Sequence, residues 1–435
     1  MDIVCVILIL VCFIICYILN RREGLFYPST FFCLLWFVIT FLGVMHFGNL
    51  VNVSLNVYAI ILLGTLSFSL GGVLAKNNRI SFCVSAFKTK DDNLYTCHIR
   101  RVFFLIVVFC SALYIFYIAP KLALYRIGYS LGDVRYGDIL TQQRGGIFNY
   151  FAIYVCYPVV FAGAVIYTIQ GIINNEKIYK FIFPAYLFIL IILGDGARKI
   201  IIYLLFVILL AFNKSNRKIH FSFRKIIILV AIIGAFIFVT LQRTNGSIES
   251  VFSSVASYAS GSLVLFDHTL NSSAYYYSEL SYGMLFILGF IRPINVFLSL
   301  LGVEWDILTA DYFSYMLQHT NVHTTANSSG YFNFFSTCFA YFYKDGMLIG
   351  VIAFSLIYGF CAVMCYKKLK YFNNIKWICV YAYVLCGLAT SMMSYQFSNY
   401  LDALTLVVIA LAFTNKEDRP FFKKSFNRAK GKCHG

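Results

Sequence analysis

Charge is scarce in this chain and uneven in sign: 12% of its 435 residues are charged, and the 18 acids are outnumbered by 35 Lys and Arg. With 60% hydrophobic residues and a mean hydropathy of +0.78, that scarcity excludes a water-soluble globular domain, because few segments could face water on every side. There is no Walker-type phosphate loop, no paired-glycine nucleotide fingerprint and no His-Glu-x-x-His, so ATP hydrolysis and zinc-protease chemistry are not expected. None of the 14 cysteines forms Cys-x-x-Cys, and most fall in apolar runs. They read as small buried hydrophobes rather than disulfides or metal ligands. No cofactor and no metal are expected.

What is present is a series of apolar runs, at 3–19, 26–47, 57–75, 102–119, 148–169, 181–193, 200–212, 226–241, 348–366, 377–393 and 401–413. Several approach the roughly 20 residues that a helix needs to cross a hydrocarbon core of about 30 Å. The expected fold is therefore all-α, a polytopic membrane protein with about 11 transmembrane helices (11–13). Its organisation divides into an N-terminal bundle over 1–241, a large segment over 242–346, further spans over 347–415 and a basic tail over 416–435. The runs at 181–193 and 200–212 are short, and the turn between them, Gly194-Asp195-Gly196-Ala197-Arg198-Lys199, is expected to dip below the headgroups.

If the runs alternate across a bilayer, about three quarters of the Lys and Arg fall in connections on one side, which the positive-inside rule assigns to the cytoplasm. The basic excess is then a topology signal with anionic lipid headgroups as its partner, and no nucleic-acid partner is expected. The run at 3–19 follows Asp2 and precedes Arg21-Arg22, without a basic leader region. It reads as a retained span with an outside N-terminus, leaving the C-terminus cytoplasmic.

Two outward connections are too long to be simple turns: 120–147 and 242–346. Stretches 284–301 and 331–343 are apolar enough to form a hairpin, but the piece between them has no Lys or Arg, which favours one periplasmic segment with interfacial or re-entrant helices. Arg126, Arg135, Arg144, Arg198 and Arg243 run against the insertion bias. They can form an anion cradle, since guanidinium forks match phosphate oxygens; equally they can bind headgroups or pair with Asp133 and Asp138. His319 and His323 have the i, i+4 spacing of one helical face, and Asp267-His268 is a second imidazole-bearing pair. Either can be a solvated surface or a general base for a substrate hydroxyl. The segment is also rich in tyrosine, a residue that stacks on sugar rings and equally populates membrane interfaces.

Outward arginines beside acids, imidazoles and aromatics, without a nucleotide site, suit a transferase whose donor is already activated by a lipid pyrophosphate. Thr324-Thr325, Gly330-Tyr331, then Phe342-Tyr343-Lys344-Asp345-Gly346 with Gly350 and Gly359, resemble the C-terminal signature of Wzy-type oligosaccharide repeat-unit polymerases, which build bacterial O-antigen and capsule chains. The turn from Gly194 to Lys199 resembles a small-residue-plus-Arg turn of that family. Arg126 to Gly137 and Arg135 to Gly146 match its Arg, ten residues, Gly spacing. Neither Arg243 nor Arg292 continues that pattern into the second loop.

The resemblance implies a glycosyltransferase acting on undecaprenyl-pyrophosphate-linked glycans. The five arginines named above would hold pyrophosphate, and His268, His319, His323 or Asp267 would deprotonate the acceptor sugar. It also implies a chain-length regulator and a flippase of the same pathway as partners. Two alternatives stay open at this stage: an O-antigen ligase transferring the glycan to a lipid A core, and a polysaccharide flippase or transporter.

Overall fold

The computed structural model describes residues 2–47, 50–78, 99, 101–126, 147–195, 199–214, 248–303, 307–322, 332–333 and 336–413. Apart from a two-residue ladder pairing Asn321–Val322 with Phe332–Asn333, the described architecture is helical. Its helices are α1 (Asp2–Leu19), α2 (Pro28–Val44), α3 (Leu55–Asn77), α4 (Arg101–Arg126), α5 (Ile147–Ile173), α6 (Ile182–Asp195) and α7 (Lys199–Lys214). The apolar run at 226–241 lies outside the described residues. Then follow α8 (Ile248–Asn271), α9 (Met284–Leu300), α10 (Leu308–His319), α11 (Cys338–Phe372), α12 (Ile375–Ala389) and α13 (Tyr400–Leu411).

Among the described residues, five helices are long and apolar enough to cross a membrane: Asp2–Leu19, Leu55–Asn77, Arg101–Leu124, Ile147–Ile173 and Cys338–Phe372. Large apolar side chains stay exposed along α1 and α4, among them Ile3, Ile18, Leu105 and Phe116. In water such faces are association surfaces; in hydrocarbon they are simply solvated.

Lipid tails are as apolar as leucine, so these helices associate through close packing rather than through the hydrophobic effect. The tightest crossing joins α3 to α11. A Cβ at Gly71 would overlap the Leu356 carbonyl, and one at Gly359 would overlap that of Phe68. Beside these glycines Phe32 stacks on Phe68 at 4.0 Å, with Phe339 and Tyr358 edge-on to Phe32.

Polar contacts sort the helix ends into two sets. At one end Lys370 pairs with Glu23 at 2.6 Å, Tyr366 donates to the same carboxylate at 2.9 Å, and Lys76 donates to Asn20 at 2.9 Å. Lys367 donates to the carbonyls of Ala75 and Asn78, which close α3. This end carries Arg21, Arg22, Lys76, Arg101 and Lys214 among the described cations. The opposite end holds the C-termini of α4 and α6 and the N-termini of α7, α9, α11 and α13.

Helix α4 continues through Pro120 to Arg126. Lys121 on that last stretch is buried and donates to the Gly194 carbonyl at 2.7 Å, satisfying an end carbonyl of α6. Phe332–Asn333 is extended, and α11 starts at Cys338 with Thr337 as its cap. The chain then turns sharply at Gly346–Met347, whose φ/ψ values are −178°/33° and 53°/−138°. That turn lays Phe342 beside Phe354, and Gly350 must lack a side chain because a Cβ there would meet the Phe342 carbonyl.

Candidate functional site

Four helices near the end opposite the basic one are short. Helices α6, α7, α12 and α13 have 14, 16, 15 and 12 residues, so α13 is about 18 Å long against a core of about 30 Å. Where they stop short, charged and aromatic groups converge at the start of α13.

Helix α9 supplies the central cation. Asp345 accepts from the backbone N–H groups of Leu285 at 3.0 Å and Phe286 at 2.8 Å, so a carboxylate closes the positive N-terminus of α9. Lys344 beside it donates to the Tyr276 carbonyl at 2.7 Å, and both side chains are buried. The Lys-Asp-Gly triplet that carries the resemblance is thus the joint tying α9 to α11. About one turn on, Gly289 lets α9 cross the approach to α13, since a Cβ there would press on the carbonyls of Phe397 and Asn399. One turn further, Arg292 lies over the Tyr400 ring at 5.1 Å.

Asp311, in the first turn of α10, faces Arg292 with Oδ1 3.4 Å from Nε. That is an electrostatic contact rather than a well-formed hydrogen bond, and Oδ1 has no hydrogen-bond donor. Burial pushes the Asp311 carboxyl above its ordinary range, and Arg292 draws it partly back. With 39% and 30% of the two side chains exposed, such a pair stabilises the fold by only about 0–1 kcal/mol. Its placement therefore needs a reason other than stability.

Tyr154 faces Tyr400 at 4.7 Å, and Tyr150 stacks on Tyr154. Tyr154 sits in a π-helical turn, Ala152–Cys156. The cause is local: Pro158 has no N–H, and its ring would clash with the carbonyl four residues back, which is that of Tyr154. The widened turn relieves the clash. Below this ladder Asp402 is buried, paired with Lys199 at 3.2 Å and accepting from the Tyr383 hydroxyl at 2.9 Å. A buried carboxylate requires such partners.

The residues singled out in the sequence are distributed differently. Arg126 is exposed at the end of α4. Arg135, Arg144, Arg198, Arg243 and His323 lie outside the described residues. Asp267 and His268 are on the last turn of α8. His268 is exposed with its ring 6.2 Å from Tyr276, and Asp267 Oδ1 is buried without a hydrogen-bond partner. His319 ends α10, Thr320 is its extended C-cap, and the chain runs on as a strand. No continuous helical face therefore joins His319 to position 323, and the β-branched Thr320 and Val322 favour that extended path. The Tyr276 hydroxyl meets Thr320 Oγ1 at 3.1 Å, which brings the ends of α8 and α10 together. Asp311 and His319 are eight residues apart on α10, about 12 Å along its axis. Arg292, Tyr400, Tyr154, Lys199 and Asp402 were not selected as site residues from sequence; Asp402 stands out as a charge inside an apolar run, and Lys199 as one in the polar turn before the run at 200–212.

At the basic end, a recess bordered by Phe104, Tyr167 and Tyr186 contains the Glu176–Lys180 pair but no other convergent ionic groups. It lacks the chemistry of the α13 cluster. Comparison of the chain with protein-family models, with curated proteins and with solved structures finds no match. The functional reading rests on the geometry and on the sequence pattern.

Proposed function

We propose that this protein is a membrane-embedded glycosyltransferase that joins oligosaccharide repeat units carried on undecaprenyl pyrophosphate, in O-antigen or capsule synthesis. In this reading the chain crosses a bacterial inner membrane about 11 times, with 242–346 and the α13 cluster on the periplasmic side. The observation that carries it is Arg292: a half-exposed guanidinium laid on a tyrosine ladder, opposite a carboxyl, at the start of a helix of 12 residues.

Each group has a chemical task. Arg292 meets the pyrophosphate oxygens, and the ladder of Tyr150, Tyr154 and Tyr400 offers ring faces to a sugar. Asp311, as carboxylate, takes the proton of the acceptor hydroxyl. That oxygen attacks the anomeric carbon of the donor glycan, the bond from this carbon to the phosphate oxygen breaks, and polyprenyl pyrophosphate leaves with its charge met by Arg292. Arg126, Arg135, Arg144, Arg198 and Arg243 extend the anion-binding surface. His268, His319, His323 and Asp267 belong to the acceptor side, with His319 about 12 Å from Asp311 along α10.

The test is polymerisation by the purified protein in vesicles supplied with lipid-linked repeat units and no flippase. Products lengthening by one repeat unit support the reading. Transfer only to a lipid A core would make the protein a ligase, and translocation without new bonds would make it a transporter; either result overturns it.

A further inference from the structure

The inner half of α1, α2 and α3 contains a cluster that the proposed reaction does not use. Cys12 and Cys16 are one turn apart on α1, Cys33 faces them from α2, and all three are buried. Cys12 Sγ is 3.6 Å from Cys33 Sγ, Cys33 Sγ is 3.9 Å from Cys16 Sγ, and all three sulfurs lie within 4.8 Å of one another. Ser69 on α3 completes the group, with its Oγ 3.1 Å from Cys33 Sγ and 3.6 Å from Cys12 Sγ.

The spacing is informative. A tetrahedral ion with metal–sulfur bonds of about 2.3 Å holds its sulfurs about 3.8 Å apart. Ser69 is also oriented for coordination: its hydroxyl donates to the Thr65 carbonyl at 2.9 Å, so its remaining lone pairs are the ones available to the cluster. We propose that Cys12, Cys16, Cys33 and Ser69 form a structural site for one soft, thiophilic d10 cation of the zinc and cadmium class.

Metal-bound thiols are deprotonated, so binding through all three cysteines releases three protons and leaves one net negative charge on the site, with the Ser69 hydroxyl as the neutral fourth donor. The effect is to staple α1, whose outer face is exposed along its length, to α2 and α3.

The test uses the full chain, expressed with zinc, purified in detergent under reductant and exchanged with Cd2+. Expected are about one ion per chain surviving desalting and a cadmium–thiolate absorption band in the near ultraviolet. Cys33→Ser loses both, whereas Cys361→Ser, altering an exposed cysteine elsewhere, keeps both. Because Cys33→Ser could perturb packing, alkylation of the unaltered protein gives a second reading: metal should shield Cys12, Cys16 and Cys33 and leave the reactivity of Cys361 unchanged. Absence of cadmium from protein whose thiols titrate as free and reduced overturns the proposal. So does retention in Cys33→Ser, or alkylation of the three thiols at equal rates with and without metal.

Discussion

Replacing Asp345 with Ala removes the acceptor of two backbone N–H groups at the start of α9, Leu285 at 3.0 Å and Phe286 at 2.8 Å, in a place where water does not substitute because Asp345 is buried. Each buried donor left without a partner costs about 1–3 kcal/mol. The two together cost about 3–4 kcal/mol, and at about 1.4 kcal/mol per factor of ten the local opening of this turn should become 10²–10³ times more frequent. Asp345→Asn retains one carbonyl oxygen and turns an N–H2 group toward the other donor, so it should fall between the parent and Ala. The assay is amide hydrogen exchange on peptides spanning 284–290, with peptides from α3 as the internal reference. Faster exchange at Leu285 and Phe286, ordered Ala over Asn over parent, is expected. Exchange unchanged by Asp345→Ala would refute the capping role and the claim that this joint positions Arg292.

Other consequences can be measured separately. Arg292→Lys keeps the charge but loses the fork, and should reduce polymer formation at least tenfold while thermal stability changes by no more than about 1 kcal/mol, because the Asp311 pair is half-exposed. Lys199→Met alone strands the buried Asp402 carboxylate and should destabilise the protein by about 3–5 kcal/mol, whereas Lys199→Met with Asp402→Leu should recover much of the loss; denaturant titration reads both. The folded-state carboxyl of Asp311 titrates above its unfolded value of 3.8, so the folded chain keeps a proton that the unfolded chain has released. Its contribution to stability therefore falls as pH rises from 3.8 through the folded-state value, and Asp311→Asn should remove that slope from a pH series of unfolding. Met347→Gly should stabilise the chain reversal by about 1 kcal/mol, since φ of 53° with ψ of −138° is strained for methionine, and an upward shift of the denaturant unfolding midpoint would report it.

The helices of the bundle were legible in the sequence because apolar runs of this length have few other folds open to them. The runs at 3–19, 57–75 and 200–212 became Asp2–Leu19, Leu55–Asn77 and Lys199–Lys214. The α13 cluster was not legible, because its partners lie far apart in the chain and meet only through packing. Tyr154 meets Tyr400, and Arg292 reaches that ring because Gly289 admits a close crossing. The outward arginines drew attention through their sign, yet Arg292 carries no local mark that separates it from them. The i, i+4 spacing of His319 and His323 suggested one face, but periodicity assumes that the helix continues, and here it ends at His319. Lys344, Asp345 and Gly350 were singled out together in the sequence, and in the structure they join α9 to α11 and close the turn inside α11.

The most direct test of the central claim is binding of a short-chain polyprenyl pyrophosphate to the purified protein in nanodiscs, comparing the parent with Arg292→Ala. Loss of one forked, charge-assisted contact should weaken binding by about 10- to 100-fold while polyprenyl alcohol, which lacks the pyrophosphate, binds both proteins alike. Equal pyrophosphate affinity in the two proteins would contradict the account.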